Sequence, residues 1–210
     1  VATYVPVARV VDMLLNPGAE YDFNGERLTY PDIRMIYWAG GNPFHKQQDL
    51  NRFLKAWRRP ETIIVHEPWW TPAARRADIV LPVTTTLERN DIGAGLRDRF
   101  FIAMQQAVPP VGEARSDYDI FSGLAQRLGA GDAFTEGRSE MDWLRHMYGA
   151  ARKSAARADI DMPDFDRFWE DGYVEFTTPD ASPVLFEAFR ADPDKAALKT
   201  PSGKIEIFSE

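Results

Sequence analysis

Cysteine is absent from the 210 residues, which excludes disulfides, thiolate metal sites and a cysteine nucleophile while leaving the compartment open between cytoplasm and periplasm. A basic surplus is absent too: 25 Lys and Arg face 32 Asp and Glu, for a formal net charge of −7. No long run of either sign occurs, so no nucleic-acid partner is expected, because such a partner demands a basic face. No apolar stretch approaches the ~20 residues that cross a bilayer, and no membrane span is expected. His45, His66 and His146 have no metal-ligand spacing, so no metal site of the chain's own is expected. No Ser-His-Asp set, catalytic carboxylate pair or P-loop lysine can be assembled either. The pattern is that of a binding scaffold.

A starting Met and a signal-peptide pattern are also lacking. The chain opens on Val1 and stops just after the alternation "KIEIFSE", from which we expect a piece of a longer protein. What remains is ample for a packed core, with 44% hydrophobic and 12% aromatic residues. The length fits one good-sized domain, or a domain with an appendage.

The run from Val5 to Leu15 reads as a short helix with Val7, Val10, Val11 and Leu14 on one face, stopped by Asn16-Pro17-Gly18. "YDFNGERLTY" is a hairpin signal, since Asn24-Gly25 suits a turn needing positive φ twice. Three short continuous apolar runs follow, at 33–38, 62–66 and 79–81, the pattern of strands buried on both faces. Between the first two, the pattern predicts a helix over roughly Lys46–Arg58 with Leu50, Phe53, Leu54 and Trp57 on one stripe. Between the second and third, Thr71-Pro72 reads as a cap-plus-proline start leading into "AARRAD". Strands alternating with helices imply right-handed βαβ units and adjacent parallel strands with helices on both faces.

Beyond these, "TTTLERNDIGAG" reads as a polar loop and "FFIAM" as a strand. A helix ends in "LAQRLG", with Phe121, Leu124, Ala125 and Leu128 inward and Gly129 as its stop. Residues 130–210 are less regular, with a helix near Met141–Tyr148 and an aromatic-rich "FDRFWEDGYVEF". The fold class expected is α/β: a Rossmann-like three-layer domain over 1–129 with a mostly parallel sheet. A less regular helical extension over 130–210 would lead toward a missing C-terminal domain.

Ligands of such sheets bind beyond the carboxyl ends of the strands, here Ala39–Asn42, His66–Thr71 and Pro82–Thr86. Gly40-Gly41 allows close approach of another molecule to the backbone, while Asn42 and Pro43 suit a helix start that could seat a phosphate. A bare strand-to-helix turn explains the same residues. His66-Glu67 stands where a ribose hydroxyl is often held, or where a solvated loop acid would lie. The third glycine of G-x-G-x-x-G is lacking, which counts against a dinucleotide site of the usual kind. Asp117 either caps its helix or accepts the paired N–H groups of a guanine edge. Trp69-Trp70 reads as a stacking platform or, more commonly for such a pair, a buried wall.

Seven stretches taken together, "PVARVVDMLLNPG", "FNGERLTYPDI", "YWAGGNPF…QDLNRF", "WWTPAARRADIVLP", "ERNDI", "EARSDYDIFSGLAQRLG" and "TPSGKIEIFSE", resemble the molybdopterin oxidoreductases. Within them the likeness is greatest to the dimethyl-sulfoxide, trimethylamine-N-oxide and biotin-sulfoxide reductases, and it runs in family order along the whole chain. The resemblance implies a parent chain several times longer, holding molybdenum between two molybdopterin guanine dinucleotides and reducing a small sulfoxide or N-oxide. This chain would be the internal Rossmann-like domain that cradles one guanine dinucleotide arm, with the remainder of the parent chain as its partner.

On that resemblance Gly40, Gly41 and Asn42 let the backbone approach the cofactor, and Gln48 adds a side-chain contact. His66 and Glu67 sit against the ribose or base, and Asp117 accepts from the guanine. Where relatives often carry His after "NPF" this chain has His45-Lys46-Gln47, and Glu67 stands where a shorter Asp is common. The family's metal-ligand serine belongs to an earlier segment absent here, so an isolated fragment is expected to be inert. A free-standing nucleotide-binding regulatory module, or an interaction domain that binds nothing, stays open beside this reading.

Overall fold

In the computed structural model, residues 4–95, 98–177 and 184–207 are described. They belong to two compact units, Val1–Val174 and Glu175–Glu210. The first helix is shorter than its apolar pattern suggests. A 3₁₀ turn at Val7–Arg9 hands over to α1 (Val10–Leu15), because Arg9 sits at φ −101° and ψ 1°, outside the helical well. Val11 and Leu14 are buried, whereas Val7 stays exposed. The hairpin forms as expected: β1 (Glu20–Phe23) pairs antiparallel with β2 (Glu26–Thr29), with Asn24 and Gly25 both at positive φ.

The three apolar runs become β3 (Met35–Ala39), β4 (Thr62–Glu67) and β5 (Ile79–Pro82). All pair in parallel, with β4 central. Side chains alternate across the sheet. Ile63 and Val65 join Val11 and Leu14 of α1 and Phe53, Ala56 and Trp57 of α2 (Leu50–Trp57) in one core. Tyr37 and His66 point the other way, and Phe121 packs on them with ring centroids 5.5 and 4.9 Å apart. Phe121 belongs to α3 (Asp117–Arg127), so helices cover both faces of the parallel sheet.

Several local expectations are corrected. The helix expected from Lys46 starts only at Leu50, because Asp49 adopts the left-handed conformation (φ 47°) and its side chain caps Arg52 N. Asn42 instead caps a single 3₁₀ turn, Pro43–His45, accepting from Phe44 N at 3.0 Å. "AARRAD" holds only the 3₁₀ turn Ala74–Arg76, with Thr71 Oγ1 accepting from Ala74 N at 3.2 Å. The supposed polar loop contains β6 (Asp91–Ala94), antiparallel to β7 (Phe100–Met104). Leu128 is exposed, since it lies past the last helical turn.

Beyond α3, α4 (Gly131–Thr135), α5 (Glu140–Ala156) and α6 (Phe165–Asp171) follow, and Gly172 at φ 84° turns the chain into β8 (Tyr173–Glu175) beside β7. Aromatic stacking holds this part: Tyr148 lies 4.4 Å from Phe168, and its hydroxyl donates to Pro163 O at 2.9 Å. In the second unit, α7 (Glu187–Ala191) is followed by a turn closed by Leu198 N donating to Gly203 O at 2.8 Å. The described part of "KIEIFSE" forms no strand, and Phe208–Glu210 lie outside the described residues. Among the described residues, no helix is long and apolar enough to cross a membrane.

Candidate functional site

The strand register gathers the candidate residues at one end of the sheet. Ala39 lies beside His66, which lies beside Leu81, so Gly40–Asn42, His66-Glu67 and Pro82–Thr84 leave the sheet together at its carboxyl edge. Gly40 and Gly41 both have positive φ, at 84° and 68°. The Trp38 indole N–H donates to both their carbonyls, at 3.1 and 2.8 Å, which locks the turn. Nothing lies within 4 Å of where a Gly40 Cβ would stand, so the turn is open to an approaching molecule. Lys46 Nζ lies 3.0 Å from the corresponding point at Gly41, bringing a cation to the turn.

A parallel bridge between Val83 and Arg115 extends β5, with Thr84 N donating to Arg115 O at 3.0 Å. The bridge delivers the start of α3 to the same edge. Ser116 caps that helix, accepting from Asp119 N at 3.1 Å, so the capping role considered for Asp117 falls to its neighbour. Asp117, at the first helical position, instead lies with Oδ1 2.5 Å from His66 Nδ1. The Tyr37 hydroxyl lies 2.8 Å from His66 Nε2. Burial, followed by the Asp117 charge, pushes the Tyr37 phenol above its ordinary range, which keeps it a donor. Glu67 is held by the Thr71 hydroxyl, which donates to Oε1 at 2.8 Å. Gln48 is exposed between the 3₁₀ turn and α2.

Of the two readings of Trp69-Trp70 one fails, and Glu88 carried no usable signal in the sequence. Trp69 and Trp70 are 67% and 69% exposed, not a buried wall, because they lie in the loop beyond β4 rather than in the sheet. Trp69 lines a cavity of about 350 Å³ with Pro82, Val83, Leu87 and Val111. Glu88 is buried, and its carboxylate accepts from Thr85 N, Thr85 Oγ1 and Val111 N at 2.7, 2.7 and 2.8 Å. These bonds, the Thr85 backbone N–H foremost, then the Thr85 hydroxyl and the Val111 N–H, hold its pKa below the usual 4.5. A depressed carboxylate contributes stability above its unfolded pKa, and that contribution is lost as pH falls through the folded value. The melting temperature should therefore fall on acidification below about pH 4.5. Glu88→Gln should lower it at neutral pH and flatten the acid limb, measured by circular dichroism.

The end of the sheet is short of partners. Asn42 Nδ2 and Thr84 Oγ1 are buried without a hydrogen bond among the described residues. Buried polar atoms are nearly always paired, and Ser122 Oγ and Trp143 Nε1, away from this edge, share the same lack, so the two atoms are available to a ligand without by themselves requiring one. An open glycine turn, an unpaired amide nitrogen, a nearby cation and two carboxylates suit a nucleotide: phosphate at the turn, hydroxyl and amino groups at the acids. Among the described residues no cluster of His, Cys, Asp and Glu could hold a metal ion.

A family model described as Molybdopterin oxidoreductase matches residues 12–127, and the chain belongs to that family. It is 53% identical to a "Dimethyl sulfoxide/trimethylamine N-oxide reductase" of Rhodobacter capsulatus, across 100% of this chain and 26% of the relative. It is 52% identical to a "Biotin sulfoxide reductase" of Cereibacter sphaeroides, across 99% of this chain and 28% of that protein. A "Trimethylamine-N-oxide reductase" of Haemophilus influenzae is 49% identical across 98% of this chain and 26% of its own length. The chain thus spans about a quarter of the length of these relatives. Among solved structures, acetylene hydratase from Pelobacter acetylenicus shares the fold with a TM-score of 0.55 at 23% identity, over 86% of this chain and 22% of that one. Family membership implies a molybdopterin cofactor.

Proposed function

We propose that this chain is the part of a molybdenum-dependent sulfoxide or N-oxide reductase that holds one guanine dinucleotide arm of its molybdopterin cofactor. The observation that carries the reading is the carboxyl edge of the parallel sheet, along which lie an open positive-φ glycine turn, the unpaired Nδ2 of Asn42 and the carboxylates of Glu67 and Asp117. The names of the relatives support dimethyl sulfoxide, trimethylamine N-oxide or biotin sulfoxide as the substrate class. When bound, the cofactor would supply the two-electron chemistry that removes oxygen from such a substrate.

The chain's own work is binding and orientation. Gly40 and Gly41 would admit the diphosphate to the backbone, with Lys46 neutralising charge and Asn42 Nδ2 donating to it. Glu67 would accept from a ribose hydroxyl, as an acid at a strand tip does in related sheets. Gln48 would add an exposed side-chain contact. Asp117 would accept from N1–H and the exocyclic amine of the guanine. The remainder of the parent chain would supply the metal ligand and the substrate pocket.

The test is to express the full-length protein in a cofactor-producing host, then measure molybdenum and guanine per chain and the reduction of the three substrates by a viologen donor. Stoichiometric molybdenum with about two guanines per metal, and turnover of at least one substrate, are expected on this reading. Cofactor lacking guanine, or no turnover of any of the three by the metal-loaded protein, would refute it.

A further inference from the structure

We propose that His66 is a positioning residue which, backed by Tyr37, fixes the Asp117 carboxylate to meet the N1–H and amino edge of a guanine. The inference rests on the guanine-reading role of Asp117 given above and assigns His66 a place behind that carboxylate, not against the ligand. The His66 side chain is only 1% exposed, while that of Asp117 is 51% exposed. Both ring nitrogens of His66 are occupied, Nδ1 at 2.5 Å from Asp117 Oδ1 and Nε2 at 2.8 Å from the Tyr37 oxygen.

The direction of these bonds follows from the donors available. A carboxylate only accepts, and a neutral imidazole carries one N–H. Nδ1–H therefore donates to Asp117, and in the neutral ring Nε2 accepts from the Tyr37 hydroxyl. The ring plane is held as well, with Phe121 stacked at 4.9 Å and Tyr37 edge-on at 5.2 Å. An aspartate half in solvent would otherwise sample several rotamers. The buried imidazole selects one before any ligand arrives, so that ordering cost is not met on binding.

One lone pair of Oδ1 is used by His66, which leaves its second and both of Oδ2 for the ligand. That acceptor pair matches two adjacent donors. Guanine offers N1–H and the C2 amine there; hypoxanthine keeps the first and lacks the second. Preference for guanine over hypoxanthine therefore reads how well the carboxylate is aimed, which a merely structural histidine would not change.

The experiment uses the full-length protein from a host that makes no molybdenum cofactor, titrated calorimetrically with guanosine diphosphate and inosine diphosphate. The wild type should prefer the guanine nucleotide by about tenfold, the scale of one hydrogen bond to a charged group. Asp117→Asn should abolish the preference. His66→Leu should reduce it to about twofold, His66→Asn should recover most of it by placing an amide N–H near the Nδ1 position, and Tyr37→Phe should lose part of it. A preference lost in Asp117→Asn but intact in folded His66→Leu would overturn the positioning role and leave the guanine reading standing. No preference in the wild type, or one unaffected by Asp117→Asn, would overturn the guanine reading and this inference with it. If His66→Leu fails to fold, Tyr37→Phe decides: an unchanged ratio overturns the proposal.

Discussion

Asp117→Asn in the full-length protein should weaken retention of the guanine-bearing cofactor by roughly 1.5–3 kcal/mol, or about 10- to 150-fold, with little change in the stability of the fold. The asymmetry comes from where the structure puts this residue. Ser116 supplies the cap of α3, so the helix does not depend on the Asp117 side chain for its first free N–H groups. The amide oxygen of Asn can still accept from His66 Nδ1–H. What it cannot do is present a second acceptor: the amide nitrogen turns a donor toward the donor edge of guanine. Losing one negative charge from the first helical turn costs about 0.3–1 kcal/mol, less than the effect on binding. Guanine and molybdenum content after extended dialysis, read beside a thermal melt, separates the two quantities. Full occupancy in the variant would return Asp117 to a structural role.

Trp57→Ala should be the most destabilising change within the sheet domain, by about 3–5 kcal/mol. Trp57 is essentially buried, packed among Trp38, Phe44 and Phe53 at centroid distances of 5.7, 5.5 and 5.3 Å. Its indole N–H also donates to Arg76 O at 3.0 Å, tying α2 to the turn that precedes β5. Truncation leaves a cavity among rings that cannot collapse into it and frees a carbonyl at the same time. A drop in melting temperature of roughly 10 °C is expected for a chain of this size. Trp57→Phe, which refills most of the volume and loses only the hydrogen bond, should lose less than half as much. Equal losses for both would show that the hydrogen bond, not the packing, dominates at this position.

The parts legible in the sequence are those where one periodicity acts over a short distance. "TIIVHE" and "IVLP" announce strands through their short apolar runs, although the double burial expected of them holds only for the central β4, since Met35 of β3 and Ile79 of β5 stay exposed; Asn24-Gly25 announces its turn because few residue pairs tolerate positive φ twice. Where a single residue departs from its usual backbone region an element boundary moves: Asp49 at φ 47° holds the start of α2 to Leu50, the first residue of the apolar stripe, rather than Lys46. β6 hides in a polar segment because "DIGA" gains its structure from pairing with β7 rather than from its own composition. The candidate site residues were named one by one through the resemblance to the family. The internal wiring of the site was not legible. His66 and Asp117 are 51 positions apart, and nothing local in either neighbourhood specifies that one donates to the other. Only the parallel register, together with the Val83–Arg115 bridge, brings them into contact.

The account turns on the claim that the carboxyl edge of the sheet receives a guanine. A crystal structure of the cofactor-loaded full-length protein tests it most directly. The expected result is a guanine whose N1 and exocyclic nitrogen lie about 2.7–3.1 Å from the Asp117 carboxylate oxygens, with the diphosphate over Gly40-Gly41. A guanine bound elsewhere, with Asp117 facing only His66 and solvent, would contradict it.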